Sequence, residues 1–297
     1  VKEGLIERLP RRGTFVRGRM TQIASAAVYF GGDLWYPDNL FYQHIYHDLR
    51  ELFSMRSGRS ILLVDERLDQ NKTVSVLPEL QKLVDQREVQ GVIALMLLKS
   101  QVDWLEKLQV PVAAFGTSGM HMDFVETFDL ALARFALDGC RTVAFIGPRM
   151  GRVWWTMFKK IAKSHRLETD HAWIPSNPYY DISLEEAGYR QFKDLWSNSK
   201  HPDGLLVYPD VACRGMMVAA LELGLKVPRD LRVIFHRNAG IDYLCPWSIP
   251  HIVTDTKEVA RLLAEHLDAQ FLHGPTPAPI VGVKLVDPPC PARGAQH

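Results

Sequence analysis

Residues 205–230 read LLVYPDVACRGMMVAALELGLKVPRD, and their order decides the architecture. The apolar run Leu205-Leu206-Val207 has the length and composition of a buried strand, and it stops at Tyr208-Pro209-Asp210. Apolar residues then recur at helical spacing through Met217, Ala220, Leu221 and Leu223. Gly224 ends the helix, and Val227-Pro228 turns the chain toward the next strand, LRVIF. A strand feeding a helix through a short polar turn puts that turn at the strand's carboxyl end, where ligands collect in open α/β sheets. Asp210 stands in that turn with two readings open. It caps the helix, as Asp does readily, or it sets a carboxylate beside a ligand group.

The same alternation runs outward in both directions. Upstream, strand-like runs at 23–30, 60–65 (SILLVD), 91–98 and 110–115 (VPVAAF) alternate with helical patterns at 39–55, 77–86 and 102–108. After Gly116-Thr117-Ser118-Gly119 the series restarts: a helix over 124–137, the strand RTVAFI at 141–146, a helix over 158–165, a weak strand near 172–174 and a helix over 184–197. Strict alternation of this kind predicts parallel sheets covered by helices on both faces. Two successive series of similar size predict two lobes, with a small-molecule site between them.

Bulk properties narrow the classes. A chain of 297 residues has room for two moderate α/β lobes. With 47% hydrophobic and 23% charged residues and a net charge of +1, nothing global draws it to nucleic acid or membrane, so any polyanion contact must be local. Cys140, Cys213, Cys245 and Cys290 have no CxxC spacing and suit the reduced thiols of a cytoplasmic protein. No apolar run reaches membrane-spanning length, and the amino terminus is charged rather than signal-like. A chain that opens on Val is expected to have lost something upstream. Catalytic motifs are absent: there is no GxSxG, HExxH or P-loop, and Gly31-Gly32 lacks the glycines of a dinucleotide fingerprint. His44 and His47 lack further ligands at metal spacing and read as a helix face. No enzyme activity, cofactor or metal is expected.

The first nineteen residues differ from the rest: Lys2, Arg8, Arg11, Arg12, Arg17 and Arg19 face only Glu3 and Glu7. Two strand-like pieces, GLIERL and GTFVRG, flank Pro10-Arg11-Arg12, giving a hairpin with a basic tip. A solvated turn explains that tip on composition alone; a phosphate contact is the functional reading. The pieces Gly4-Leu5-Ile6, Arg8 and Gly13-Thr14-Phe15-Val16 resemble the wing that closes a GntR-type winged-helix DNA-binding domain. That resemblance implies DNA contacts at Arg8, Arg11, Arg12 and Thr14 and a recognition helix upstream of Val1.

From about Ile23 to Val286 the chain resembles the effector domain of LacI/GalR-type regulators, a relative of the type I periplasmic sugar-binding fold. The opening stretch carries the resemblance at Asp210, Cys213 (in place of the family's usual Ala), Gly215, Ala220-Leu221, Gly224, Val227-Pro228 and Asp230. Gln90-Gly91-Val92-Ile93, Val110-Pro111-Val112 and the segment from Asp138 to Gly147 extend it. The resemblance implies a two-lobed α/β fold, each lobe a parallel sheet flanked by helices. Residues 1–19 are then the wing remnant and linker. Residues 20–120 with 250–275 form the amino-terminal lobe, 121–249 with 276–288 the carboxyl-terminal lobe, and 289–297 a tail. It implies three crossings, near 116–124, 236–253 and 274–279, the last rich in proline. Function follows as ligand-dependent control of operator binding, in a cytoplasmic homodimer without membrane contact. A transport solute-binding protein of the same fold is the alternative; the upstream sequence separates them.

Sugar sites combine flat apolar faces with planar polar groups. Trp35 and Tyr36 follow the first strand, Trp154-Trp155 follow the strand at 141–146 beside Arg149 and Arg152, and Tyr208, Asp210, Arg237, Asn238 and Asp255 lie at later strand ends. The aromatic pairs line the ligand site or pack on neighbouring loops; Tyr179-Tyr180 is a weaker pair of the same kind. Two departures from the family bear on the ligand. Trp154 occupies the place of its sugar-binding Arg, three residues before Met157-Phe158. Phe235-His236-Arg237-Asn238 replaces Gly-Phe-Asp-Asp/Asn, so an acceptor has become the donor-only Arg237. Arg237 then binds a carboxylate or phosphate of an acidic sugar or other anionic metabolite, or pairs with Asp210 or Asp242.

Overall fold

The computed structural model describes residues 6–9, 13–16, 21–67, 77–116, 119–147, 152–173 and 182–288, with only the backbone of 6–9, 13–16 and residue 152. Strands β1 (Ile6–Leu9) and β2 (Gly13–Val16) pair antiparallel, Ile6 opposite Val16 and Leu9 opposite Gly13. The basic tip at 10–12 lies outside the described residues, as do Tyr179-Tyr180 and the tail at 289–297. The chain divides into two compact units, 1–121 with 257–280 and 122–256 with 281–297.

The first unit contains β3 (Ser25–Gly31), α1 (Leu40–Met55), β4 (Arg59–Asp65), α2 (Pro78–Asp85), β5 (Val92–Leu95), α3 (Lys99–Leu105) and β6 (Val112–Phe115). The strands form one parallel sheet in the order β4-β3-β5-β6. β5 is buried throughout and β3 nearly so, which is why they read as continuous apolar runs rather than alternating ones. Helix α1 buries Ile45, Leu49 and Phe53, one residue per turn along a single stripe. The turn after it needs glycine: a Cβ at Gly58 would lie 1.7 Å from the carbonyl oxygen of Ala24. A later helix, α8 (Thr256–His273), returns to this unit and buries Val259, Leu263 and Leu267.

Two polar contacts fix α8 in place. Asp268 accepts from the backbone N–H of Ile23 at 2.7 Å and pairs with Arg56 at 3.0 Å, both side chains being largely shielded from solvent. At the other side of the sheet, Gln270 bonds the backbone of edge strand β6. Its Oε1 accepts from the Val112 N–H at 3.2 Å, and its Nε2 donates to the Val112 carbonyl at 2.9 Å.

The second unit contains α4 (Phe124–Leu137), β8 (Val143–Ile146), α5 (Arg152–Ser164), α6 (Leu184–Trp196), β9 (Gly204–Val207), α7 (Asp210–Glu222), β10 (Arg232–Ala239), β11 (His251–Asp255) and β13 (Lys284–Val286). Two short strands, β7 (His121–Met122) and β12 (Ile280–Val281), lie at the passages of the chain. The second sheet runs β13-β11-β10-β9-β8, parallel except for β13. Alternation along the strands divides the core. Ala144, Ile146, Leu205, Val207 and Phe235 pack with Met216, Met217 and Ala220 of α7 and Phe192 of α6. Phe145 instead meets Phe128 of α4 and Phe158 of α5, in an aromatic layer with centroids 5.1 and 5.6 Å apart. Helices α6 and α7 touch backbone to backbone: a Cβ on Gly215 would come within 1.8 Å of the Glu185 carbonyl oxygen.

Four local expectations change. Helix α5 starts at Arg152 rather than 158, so Trp154 and Trp155 belong to it and not to a loop. Residues 171–173 form a 3-10 turn instead of a strand, because Trp173 is buried and its indole N–H donates to the Lys200 carbonyl at 3.0 Å. β10 continues past Phe235 to Ala239, so His236, Arg237 and Asn238 are strand residues rather than a crossing. β11 pairs with β10 as the fourth parallel strand of the second sheet, so 251–255 lies with the second unit and the chain leaves it only after Thr256. Its short, half-polar sequence HIVTD carries little strand signal by itself.

Candidate functional site

The carboxyl ends of β8, β9 and β10 in the second unit bring several candidates together. β9 ends at Val207, and α7 begins at Asp210, preceded by a cis Tyr208-Pro209 bond. Pro209 is the helix N-cap, so Asp210 is the first helical residue rather than the cap. Its side chain is 3% exposed. One carboxylate oxygen accepts from the Val211 N–H at 3.0 Å, and the carboxylate is also hydrogen-bonded by the Asn238 side chain. Burial pushes the Asp210 carboxyl above its ordinary range, against the Asn238 bond and the charge of Arg214.

Asn238 and His236 project from the same face of β10 by strand alternation, and both are buried. His236 is held through Nε2 and Thr254 Oγ1 at 2.9 Å. Its burial, with a smaller contribution from His251, brings its pKa down to about 3, so the imidazole is neutral. Among the described residues, His236 Nδ1, Asn238 Oδ1 and Arg214 Nε have no hydrogen-bond partner. Buried polar atoms are rarely left so. Asn238 bonds Asp210 and the charge of Arg214 acts on that carboxyl, while His236 lies two residues before Asn238 on the same face of β10.

A chain of rings leads up to this polar group. Trp154 meets Phe124 edge-on at 4.1 Å, Phe124 meets Tyr208 at 5.1 Å, and Tyr208 meets His236 at 4.4 Å. Trp154, Phe124 and Tyr208 are half-buried, leaving ring surface available. The arrangement offers apolar faces beside amide, imidazole and carboxyl groups, the chemistry by which proteins hold a polyhydroxylated ring.

The remaining candidates are placed otherwise. Trp155 packs on Phe145 at 6.2 Å and Phe158 at 5.7 Å, in the aromatic layer under α5. Arg237 faces the opposite side of β10 from Asn238 and pairs with Asp242, not with Asp210. Asp255 is exposed at the end of β11, opposite Ala239. Trp35 and Tyr36 belong to the first unit, in a turn after β3 where the Trp35 N–H donates to Asp33 at 2.9 Å, and both are exposed. Arg149 lies outside the described residues, as do Arg11 and Arg12; for Arg8, Thr14 and Arg152 only the backbone is described. Phe124 and His236 were not anticipated. Their signal was present in a helix opening directly on an aromatic and in a His continuing an apolar strand. Among the described residues, the side chains close enough to share a metal ion are His47, Asp48 and Glu51 of α1. There, each imidazole nitrogen lies 3.7 Å from a carboxylate in ordinary helix-surface pairing.

The model of the periplasmic binding protein-like domain family matches residues 132–287, more than half of the chain. The chain belongs to that family. Catabolite control protein A of Staphylococcus xylosus is 22% identical over 258 residues, 80% of this chain and 75% of that relative. Its counterpart in Staphylococcus epidermidis is equally similar over 259 residues. Among solved structures, a LacI-family regulatory protein from Chloroflexus aggregans superposes with a TM-score of 0.72 at 18% identity, covering 88% of this chain and 97% of that one. A transcriptional regulator in complex with cellobiose gives 0.71 at 16%, covering 90% and 84%. A periplasmic binding protein/LacI regulator from Alkaliphilus metalliredigens complexed with D-xylulofuranose gives 0.66 at 20%, covering 89% and 97%. The α/β fold of parallel sheets flanked by helices is that of this family.

Proposed function

We propose that the chain is the effector-sensing part of a LacI/GalR-type transcription regulator, binding a sugar or sugar-like metabolite and transmitting its presence to operator DNA. Family membership and relatives named as regulators support the class. The observation that carries the ligand reading is the half-buried row Trp154-Phe124-Tyr208, ending at buried Asp210, His236 and Asn238. The rings stack on the CH faces of the ligand, and Asn238 Oδ1 and His236 Nδ1 take its hydroxyls. Control requires only that the ligand bind one conformational state more tightly than another. The role is sensing, not catalysis.

Finer features belong to the same reading. Arg237, held by exposed Asp242, exchanges that partner for a ligand carboxylate or phosphate, which makes the effector acidic. The hairpin of β1 and β2 is the wing of a GntR-type DNA-binding domain, and Arg8, Arg11, Arg12 and Thr14 meet the DNA backbone. The regulator works as a cytoplasmic homodimer. No helix among the described residues is long and apolar enough to cross a membrane.

Thermal-shift titration with panels of neutral and acidic sugars tests the proposal. A ligand at a hundredfold excess over its Kd stabilises by about 2.7 kcal/mol. Acidic sugars should raise the melting temperature, and Trp154→Ala and Arg237→Ala should each remove the shift. Stabilisation by neutral sugars alone refutes the role of Arg237. Absence of any shift across both panels refutes the ligand class.

A further inference from the structure

The two edges of the first sheet differ. At β6 the Gln270 side chain occupies both backbone groups of Val112. At the opposite edge, β4 pairs with β3 over its full length, from Ser25 with Arg59 to Gly31 with Asp65, without a bulge. The Gly32 N–H donates to the Asp65 carbonyl at 3.1 Å, which fixes the phase of this parallel ladder. Arg59, Ile61, Leu63 and Asp65 turn their backbone groups toward β3, and Ser60, Leu62 and Val64 turn theirs away from it. Among the described residues, no hydrogen bond reaches these outward N–H and C=O groups.

The side chains of β4 suit a further strand as well. Residues 60–64 are half-buried, whereas β5 and β6 are buried throughout. Ile61 and Leu63 pack with Leu80 of α2 and Val89, and alternation puts Leu62 and Val64 on the other face of the sheet. Edge strands that remain alone are blunted by lysine, proline, a bulge or an inward charge. Between its terminal Arg59 and Asp65, the sequence SILLV carries none of these.

We propose that β4 pairs antiparallel with β4 of a second copy of the chain, joining two four-stranded sheets edge to edge. With a twofold axis normal to the sheet, the strands run antiparallel and the contact closes on itself. Centred on Leu62, the pairing sets the two Leu62 residues opposite each other and each Ser60 opposite a Val64. All the outward residues then fall in hydrogen-bonded pairs, each exchanging two bonds, about six in all. Any other centre leaves at least one of them opposite an inward-turned residue or one outside β4. In the chosen register Ile61 lies opposite Leu63, an apolar pair on each side of the axis, and Arg59 opposite Asp65, so no like charges meet. Asp65 is already held by Tyr29 and Arg67, so this last pair contributes little beyond the absence of repulsion. The inference rests on the homodimer reading above and assigns the second copy its surface.

The test uses the whole 297-residue chain in sedimentation velocity at micromolar concentration. The parent should sediment as a dimer. Leu62→Pro should raise the dimer Kd about tenfold or more, because proline lacks the outward N–H that the second copy needs. It removes no bond to β3, since that N–H faces away from the ladder. Leu62→Cys should form a disulfide-linked dimer under copper phenanthroline, its two Cα atoms lying about 5.5 Å apart across the axis. Leu137→Cys, exposed on α4, should link far more slowly. A thermal melt of Leu62→Pro separates lost association from lost folding, and where that variant does not fold the cross-linking rates decide alone. A monomeric parent overturns both the pairing and the homodimer reading, and leaves the edge to a strand of another protein. A parent dimer indifferent to Leu62→Pro, or one in which Leu62→Cys links no faster than Leu137→Cys, overturns the pairing alone and moves the homodimer contact to another face.

Discussion

Acidification should weaken the second unit through His236, by an amount the structure fixes. The imidazole is buried and neutral, with its pKa brought down to about 3. In the unfolded chain it titrates near the ordinary value of about 6.5. Below that value the unfolded chain takes up a proton that the folded chain refuses, so stability is complete above pH of about 6.5 and is lost as the pH falls toward 3. At pH 5, roughly one and a half units below the unfolded pKa, the loss is about 2 kcal/mol at 1.36 kcal/mol per unit. Other histidines titrate too, and comparison with His236→Gln isolates the contribution. Glutamine keeps an amide within reach of Thr254 Oγ1 and does not titrate. Urea unfolding at pH 7.5 and pH 5 should give a stability difference about 2 kcal/mol smaller in the variant than in the parent. Equal differences in the two proteins would show that His236 charges in the folded state, and the reasoning from its burial would fall.

Three further outcomes follow from particular contacts. Gln270→Ala removes two bonds to Val112 and should destabilise the first unit by about 2 kcal/mol, read from urea midpoints, with the ligand response of the second unit unchanged. Asp268→Ala deprives Arg56 and the Ile23 N–H of their shared acceptor. It should cost about 2 kcal/mol, below the range for a fully buried pair because both side chains retain some exposure. Gly215→Ala forces α6 and α7 apart, because the new Cβ meets a carbonyl oxygen at 1.8 Å. A loss of about 3 kcal/mol or more is expected in calorimetry, and a loss under about 1 kcal/mol would mean the helices separate freely.

The parts of the fold that were legible in sequence are those whose signal is local. β5, β8 and β9 are buried from end to end, so VIAL, VAFI and GLLV stand out as unbroken apolar runs. The helix over 124–137 is announced by Asp123, whose side chain caps it by accepting from the Glu126 N–H at 2.8 Å. The elements that escaped depend on partners far along the chain. HIVTD becomes a strand because β10 and β13 flank it, and neither neighbour can be inferred from five half-polar residues. The start of helix α5 at Arg152 escaped because the rest of its first turn, Val153-Trp154-Trp155, is made of β-branched and aromatic residues of middling helix propensity, with no capping residue described before it. The site shows the same division. Asp210 and Tyr208 could be read from a strand–turn–helix grammar, whereas the Asp210–Asn238 contact joins residues on different elements. Only the assembled sheet makes His236 a buried neutral group.

Gln270 has a further consequence beyond its share of stability. By presenting a carbonyl oxygen and an amide N–H to Val112, its side chain imitates one residue of a neighbouring strand. Farther along β6, the Ala114 carbonyl is taken by the Met120 N–H at 2.8 Å. The outermost strand of the first sheet therefore offers foreign chains few free backbone groups at these positions. An edge covered in this way resists templated growth and strand exchange along β6.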